Sequence, residues 1–117
     1  MKIFCDSSLS ENCIVVDGSD PKVTTYFDRP TVNVGEYRAV LEALVYALWS
    51  QTAEVQIFTD SQLIVNQIKG DWACRKEPLL SLRNEARRMM SLFESATLSW
   101  IPRGQNPAGI ALEKIYK

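Results

Sequence analysis

The sequence predicts an α/β fold built on one five-stranded mixed sheet with helices packed against it. Two observations lead to this prediction. Three β-rich segments come first, separated by turn residues, and two further β-rich segments then alternate with helical patterns. The chain has 117 residues, 46% of them hydrophobic, and contains no linker-like stretch. We therefore expect one domain over residues 1–117 with an ordinary hydrophobic core.

The elements are expected in the order βββαβααβα. The three opening strands are separated by turns rich in Ser, Asn, Gly, Asp and Pro, and Gly70 is expected to end the second helix. The predicted strands cover residues 1–6, 11–17, 22–28, 54–59 and the segment TLSWIP (97–102), and the predicted helices cover residues 33–50, 61–69, about 78–94 and 107–115.

Three acidic residues are predicted to meet at one edge of this sheet. Asp6 ends the first predicted strand, Glu36 lies in the first turn of the first helix, and Asp60 ends the fourth strand. Helical crossovers make the later strands parallel to the first, so these positions share the edge at which open α/β sheets bind ligands.

Each acid taken singly also has a local structural explanation. Asp6 is placed to open a turn with the serines that follow it, and Asp60 is placed to cap the next helix. Asn33 and Glu36 together match a capping box. On sequence alone these explanations are favoured for each residue by itself, whereas the three acids together favour a shared function.

Three converging carboxylates repel one another unless a positive charge lies between them. The chain contains no histidine, which removes the usual general base and the usual zinc ligand. Oxygen ligands select Mg²⁺ or Mn²⁺, and two such ions about 3.5–4 Å apart support phosphoryl chemistry without a protein base.

Four segments carry a family resemblance over essentially the whole chain. KIFCDSS, TVNVGEYRA, IFTDSQLIVNQIKG and WIPRGQN, in this order and spacing, resemble ribonuclease H type 1. The resemblance implies a ribonuclease H-like fold and a metal-dependent endonuclease that hydrolyses the RNA strand of RNA–DNA hybrids with two Mg²⁺ or Mn²⁺ ions. It implies that Asp6, Glu36 and Asp60 are the catalytic and metal-binding acids.

The resemblance also implies a set of substrate-binding residues. Thr31, Asn33 and Gln62 fall where the family has polar residues that reach the minor groove or a DNA phosphate of the hybrid, which is recognised by shape, backbone and 2′-hydroxyl groups. The expected set is Thr31, Asn33, Gln62, Ser8 and Arg103. For the first three, capping and turn hydrogen bonds are an equally good interpretation. Ser61 is interpreted as a helix-start residue.

The last motif departs from the family pattern Arg-x-x-Asn-x-x-Ala-Asp-x-Leu. Arg103, Asn106 and Leu112 keep the frame, but Gly109 and Ile110 stand at the Ala-Asp positions, so Ile110 replaces the fourth acid. In the family this acid belongs to the ion that activates the attacking water.

Three explanations of the missing acid stay open. The three remaining acids and the substrate phosphate hold the ions, or a residue on the same helical face substitutes for the acid, or the domain binds without cutting. The possible substitutes are Asn106 and Glu113, which lie four residues before and three residues after Ile110. Asn106 is more simply interpreted as an N-cap before Pro107, and Glu113 as a surface residue.

Two loops also differ from the family pattern. The segment SSLSENC replaces a glycine-rich turn after the first acid, and the short segment DWACRKEP replaces the basic protrusion of some members. The net charge of −1 provides no overall attraction to nucleic acid. We therefore expect weaker hybrid affinity than in members that carry the protrusion.

The remaining expectations concern environment and partners. The three cysteines lack metal-site spacing, and no segment has the length of a signal peptide or a membrane span, so we expect a cytoplasmic protein that acts without a membrane or an obligate protein partner. The alternative to the enzyme is a weak or inactive ribonuclease H-like module that binds nucleic acid. A resolvase- or integrase-like nuclease is disfavoured, because Asn33 and Glu36 match the type 1 version closely, as do Asp60, Ser61 and Gln62.

Overall fold

The structure, a computed structural model, describes residues 1–115 and has the predicted element order. The strands are β1 (Lys2–Ser8), β2 (Glu11–Val16), β3 (Lys22–Thr25), β4 (Glu54–Thr59) and β5 (Ser95–Trp100). The helices are α1 (Val32–Trp49), α2 (Gln62–Lys69), α3 (Leu79–Met90) and α4 (Pro107–Ile115), and a short 3₁₀ turn covers Arg103–Gln105.

The five strands form one mixed sheet in the order β3-β2-β1-β4-β5. The hairpin strands β1, β2 and β3 are antiparallel, whereas β4 pairs parallel to β1 and β5 pairs parallel to β4. This is the ribonuclease H-like fold, and it confirms the predicted sheet. Its consequence is that the carboxyl ends of β1, β4 and β5 lie at the same edge.

Helices cover both faces of the sheet. The larger core lies under α1 and α3 and includes the fully buried Ile3, Leu44 and Ile57. A smaller core on the opposite face joins Cys13 and Val15 of β2 to α4. Burying one large aliphatic side chain contributes about 1.5–3 kcal/mol, so both cores fix the position of the helix that covers them.

Several predicted boundaries were wrong by a few residues. Strand β1 continues through Asp6 to Ser8, because the hairpin with β2 pairs Ser8 with Glu11. Helix α3 stops at Met90 instead of extending to about 94, and β5 begins at Ser95. Gly70 ends α2 as predicted, with a left-handed φ of 94° that glycine adopts without steric cost.

None of the helices within residues 1–115 has the length and apolar character that crossing a membrane requires.

Candidate active site

The parallel pairing of β1 and β4 places Asp6 beside Asp60. Phe4 of β1 is in register with Phe58 of β4. Asp6 follows Phe4 by two residues, and Asp60 follows Phe58 by two residues. Asp6 lies inside β1, paired with Cys13 of β2, and so does not end the strand as the sequence predicted. The two carboxyl groups come from neighbouring backbones about 4.8 Å apart, which makes their proximity a consequence of sheet geometry.

Glu36 reaches the same edge from the second turn of α1. Its Oε1 accepts a hydrogen bond from the backbone nitrogen of Ser7 at 3.1 Å, and its Oε2 lies 3.5 Å from the hydroxyl of Thr59. Glu36 is 5% exposed. The side chain therefore turns inward to the sheet and does not fold back to cap its own helix.

The three carboxylates form one cluster. One oxygen from each of Asp6, Glu36 and Asp60 lies within 4.8 Å of the other two. This confirms the predicted convergence at the sheet edge. The cluster opens into a cleft of about 410 Å³ whose rim includes Thr31 and Arg103.

The electrostatics of the cluster favour a cation. Burial, the charge of Asp6 and a hydrogen bond to Asp6 raise the pKa of Glu36 to about 9. Burial and the charge of Asp60 raise the pKa of Asp6. Within residues 1–115, the ion pairs are Arg38–Asp28 and Arg88–Glu85, so no lysine or arginine pairs directly with these acids. A divalent cation would neutralise the carboxylates, and an all-oxygen ligand set fits Mg²⁺ or Mn²⁺.

Asn106 supports the cluster in a way that the sequence did not reveal. Its Nδ2 donates to Oδ2 of Asp60 at 3.2 Å and to the backbone oxygen of Cys5 at 2.9 Å. Its Oδ1 accepts from the backbone nitrogen of Ala108 at 3.1 Å, which confirms the N-cap interpretation. Asn106 is fully buried, so one side chain connects β1, Asp60 and the start of α4.

Two further supporting residues lie beside Asp60. The hydroxyl of Thr59 accepts from the backbone nitrogen of Ser61 at 3.2 Å while facing Glu36, and Thr59 is fully buried. The indole nitrogen of Trp100 donates to the backbone oxygen of Asp60 at 3.1 Å. The only sequence signal for them was their position at the ends of β4 and β5.

The residues of α4 contribute no carboxylate to the cluster. The backbone of Gly109 packs against Asp6 so closely that a Cβ at position 109 would lie 3.0 Å from Asp6 Oδ2. Ile110 is 41% exposed and is not among the residues that line the cleft. Glu113 is exposed and lies outside the converging group. The side-chain nitrogen of Asn106, a hydrogen-bond donor, faces the carboxylate cluster.

The predicted substrate-binding residues occupy different places. Ser8, Thr31 and Arg103 line the carboxylate cleft. Gln62 lines a neighbouring depression of about 490 Å³ that Trp100 also borders. Asn33 is exposed in the first turn of α1 and lines neither depression.

Two of the predicted helix caps were wrong by one or two residues. Thr31 caps α1, its hydroxyl accepting from the backbone nitrogen of Val34 at 3.3 Å, so Asn33 and Glu36 do not form a capping box. Ser61 caps α2, accepting from Ile64 at 3.3 Å, which leaves the carboxylate of Asp60 free for the cluster. The interpretation of Ser61 as a helix-start residue is confirmed.

Fold and site together define a ribonuclease H-like domain with an acidic cluster at the sheet edge. The chain belongs to the reverse transcriptase-like family, whose model matches residues 5–114. It is 35% identical over 78 residues to the bifunctional protein Rv2228c of Mycobacterium tuberculosis, covering 67% of this chain and 21% of that protein. It is 30% identical over 99 residues to ribonuclease HI of Halobacterium salinarum, covering 85% of this chain and 47% of that protein.

The chain therefore spans about a fifth of the length of the mycobacterial relative and about half of the halobacterial one.

Solved structures have the same fold. The ribonuclease H1 of H. salinarum superposes with a TM-score of 0.83 at 24% identity, covering 95% of this chain and 92% of that one. LC11-RNase H1, solved in complex with an RNA/DNA hybrid, superposes with a TM-score of 0.77 at 20% identity, covering 99% of both chains.

Proposed function

We propose that this protein is a metal-dependent endoribonuclease that hydrolyses the RNA strand of RNA–DNA hybrids, and that residues 1–117 form a single ribonuclease H-like domain. The observation that carries the proposal is the convergence of the buried Asp6 and Glu36 with the half-buried Asp60, without a pairing lysine or arginine among residues 1–115. Such a cluster is stable when a divalent cation lies between its members.

The three carboxylates would hold Mg²⁺ or Mn²⁺. When bound at such a site, the cation supplies activation of a water and stabilisation of the leaving oxygen in phosphodiester hydrolysis. Asp6 interacts with both other acids, through a hydrogen bond with Glu36 and through its charge with Asp60, so we expect its loss to be the most damaging. Ser7 and Thr59 hold Glu36, and Asn106 holds Asp60, so the ligands need little rearrangement on binding.

The rim of the cleft would bind the substrate. The guanidinium of Arg103 is placed to pair with a phosphate, and the hydroxyl groups of Ser8 and Thr31 are placed to bind sugar or phosphate oxygens. Gln62, beside the cleft, would contact the groove of the duplex. Recognition through backbone and 2′-hydroxyl groups suits a hybrid and requires no base sequence. The LC11 relative, solved with an RNA/DNA hybrid, supports this choice of substrate.

A cleavage assay on end-labelled duplexes tests the proposal. A hybrid labelled on its RNA strand, the same hybrid labelled on its DNA strand, double-stranded DNA and double-stranded RNA are incubated in Mg²⁺ and separately in Mn²⁺. We expect cleavage of the RNA strand of the hybrid alone, lost in EDTA and lost in Asp6→Asn. Absence of cleavage in both metals would refute the enzyme, and cleavage by Asp6→Asn would assign the activity to a contaminant.

A second candidate is a domain that binds hybrids without cutting them. The observation that favours it is that α4 contributes no acid to the cluster, since Gly109 and Ile110 replace the Ala-Asp pair of the type 1 pattern and Glu113 lies outside the group. In this case the protein leaves both strands intact in the assay above and still binds the labelled hybrid in a separate binding measurement.

A further inference from the structure

The three acids can account for one cation. The ligand atoms of Asp6, Glu36 and Asp60 spread over at most 4.8 Å. Oxygens on opposite sides of a Mg²⁺ ion lie about 4 Å apart, so a small contraction of the cluster would seat a single ion. A pair of ions about 3.5–4 Å apart requires a second set of oxygen ligands beyond this one.

The side of the cluster that faces α4 is closed by groups that do not ligate cations. The amide nitrogen of Asn106 donates to Asp60 Oδ2, while its amide oxygen is used by the backbone nitrogen of Ala108. The Cα of Gly109 packs against Asp6 and offers no side chain. Both contacts present N–H or C–H groups to the cluster, and neither adds an oxygen ligand on this side.

The side chains next along α4 do not supply the missing oxygens. Ile110 is aliphatic and 41% exposed, and Glu113 is exposed and outside the cluster. Besides the three acids, the charged side chain that lines the cleft is Arg103, a cation. A guanidinium lining the cleft repels a second metal ion instead of holding it.

We propose that this chain binds one divalent cation, held by Asp6, Glu36 and Asp60, and that the Gly109–Ile110 pair has removed the second cation site of the type 1 pattern. This inference rests on the proposed function, because it concerns the same carboxylate cluster. The sequence predicted two ions per site, and the proposal replaces this number with one ion bound by the protein.

The number of bound ions is measured on the whole chain without substrate. Mn²⁺ is titrated into the protein, and the loss of the electron paramagnetic resonance signal of free Mn²⁺ gives the stoichiometry. We expect one equivalent for the wild type, two for Ile110→Asp, and a loss of affinity of at least tenfold for Asp6→Asn. Ile115→Asp is the matched control, since it adds the same charge at an isoleucine of α4 that is similarly exposed, and we expect one equivalent.

The outcomes separate this inference from the proposed function. Two equivalents in the wild type would overturn the single-cation site, whether or not the protein cleaves hybrids. One equivalent in Ile110→Asp, or two in Ile115→Asp, would overturn the assignment of the lost site to position 110. One equivalent in the wild type together with no cleavage of the hybrid would support the single-cation site and refute the enzyme.

Discussion

The amide nitrogen of Asn106 lies 3.2 Å from Oδ2 of Asp60 and 2.9 Å from the backbone oxygen of Cys5. One buried side chain thus holds a carboxylate of the cluster, the middle of β1 and the first turn of α4 in fixed relation. Because Asn106 donates a hydrogen bond to Asp60, it positions that carboxylate and does not itself act as a metal ligand.

Replacing Asn106 by alanine is expected to weaken both the fold and the site. Loss of a helix cap costs about 1 kcal/mol, and leaving the buried Cys5 carbonyl without a donor costs about 1–3 kcal/mol. Asn106→Ala should lower the free energy of unfolding in urea by about 2–4 kcal/mol and should weaken Mn²⁺ binding about tenfold, the lower end of what lost supporting contacts cost. Asn84→Ala, at an exposed asparagine of α3, is the control. Unchanged Mn²⁺ affinity in Asn106→Ala would argue against its positioning role.

The metal-free protein should lose stability as the pH rises. The pKa of Glu36 is about 9 in the folded chain and 4.5 as the reference value, so the folded state retains a proton that the unfolded state releases. The stabilisation is complete below about pH 4.5 and is lost as the pH rises through about 9. In EDTA we expect the melting temperature to fall by at least about 4 °C across this window, the shift that corresponds to roughly 1 kcal/mol in a domain of this size.

Two variants and added metal test the cause of this pH dependence. Glu36→Gln should flatten the profile, whereas Glu85→Gln, at a glutamate paired with Arg88 on α3, should leave it unchanged. Added Mg²⁺ should raise the melting temperature of the wild type most at high pH, because the cation replaces the bound proton. A profile in EDTA that rises with pH over this window would contradict the account.

Gly35 allows α1 to approach β1 at the site. A Cβ at this position would collide with the Ser7 hydroxyl and lie 3.3 Å from Ser7 Cβ. Rotating the hydroxyl away would break a hydrogen bond, because Asn12, with its amide oriented to satisfy its neighbours, donates to it at 2.6 Å. Gly35→Ala should therefore cost about 1–3 kcal/mol of stability, as overpacking does.

A double-mutant cycle tests this close approach. Gly35→Ala should cost much less in a Ser7→Gly background, in which both obstructing atoms are gone. Gly104→Ala serves as the control, since a Cβ there meets nothing within 4 Å. An equal cost of Gly35→Ala in both backgrounds, measured by urea unfolding, would exclude the contact with Ser7 as the cause.

Arg103 is expected to contribute to hybrid binding and not to metal binding. Its side chain is exposed on the rim of the cleft, where a phosphate would neutralise it. Arg103→Ala should weaken hybrid binding and reduce the slope of log affinity against log salt by about one, with the Mn²⁺ stoichiometry unchanged. Arg88→Ala, at an exposed arginine of α3, should leave the slope as it is. An unchanged slope in Arg103→Ala would remove it from the substrate-binding residues.

Sequence patterns predicted the sheet and the convergence of the acids because both follow from periodicity and strand order. Asp6 and Asp60 are forced together once β1 and β4 pair in parallel, and no detail of a side chain is needed. Helix caps were harder to predict. Thr31 and Asn33 are both good capping residues, and Asp60 and Ser61 are adjacent, so local propensity does not decide between them. Long-range contacts determine which residue caps the helix. For example, the backbone nitrogen of Ser7 donates a hydrogen bond to Glu36, which turns this side chain toward the sheet and away from its own helix end.

The environment of α4 could not be predicted from the sequence. The motif frame identifies Ile110 as the replaced position, but it does not indicate that the backbone of Gly109 packs against Asp6. Nor does it indicate that Asn106 uses its nitrogen on Asp60 and its oxygen on its own helix. These facts depend on how closely α4 packs against β1 and β2, which is set by the small core around Cys13 and Leu112.

The proposed activity of the Asp6–Glu36–Asp60 cluster is cleavage of the RNA strand of a bound hybrid. The most direct test measures binding and cleavage of one labelled hybrid with the same preparations of wild type and Asp6→Asn, binding in EDTA and cleavage after addition of Mg²⁺. We predict similar binding by the two proteins and cleavage of the RNA strand by the wild type alone. Tight binding by the wild type with both strands intact in Mg²⁺ and Mn²⁺ would contradict the account and establish a binding module.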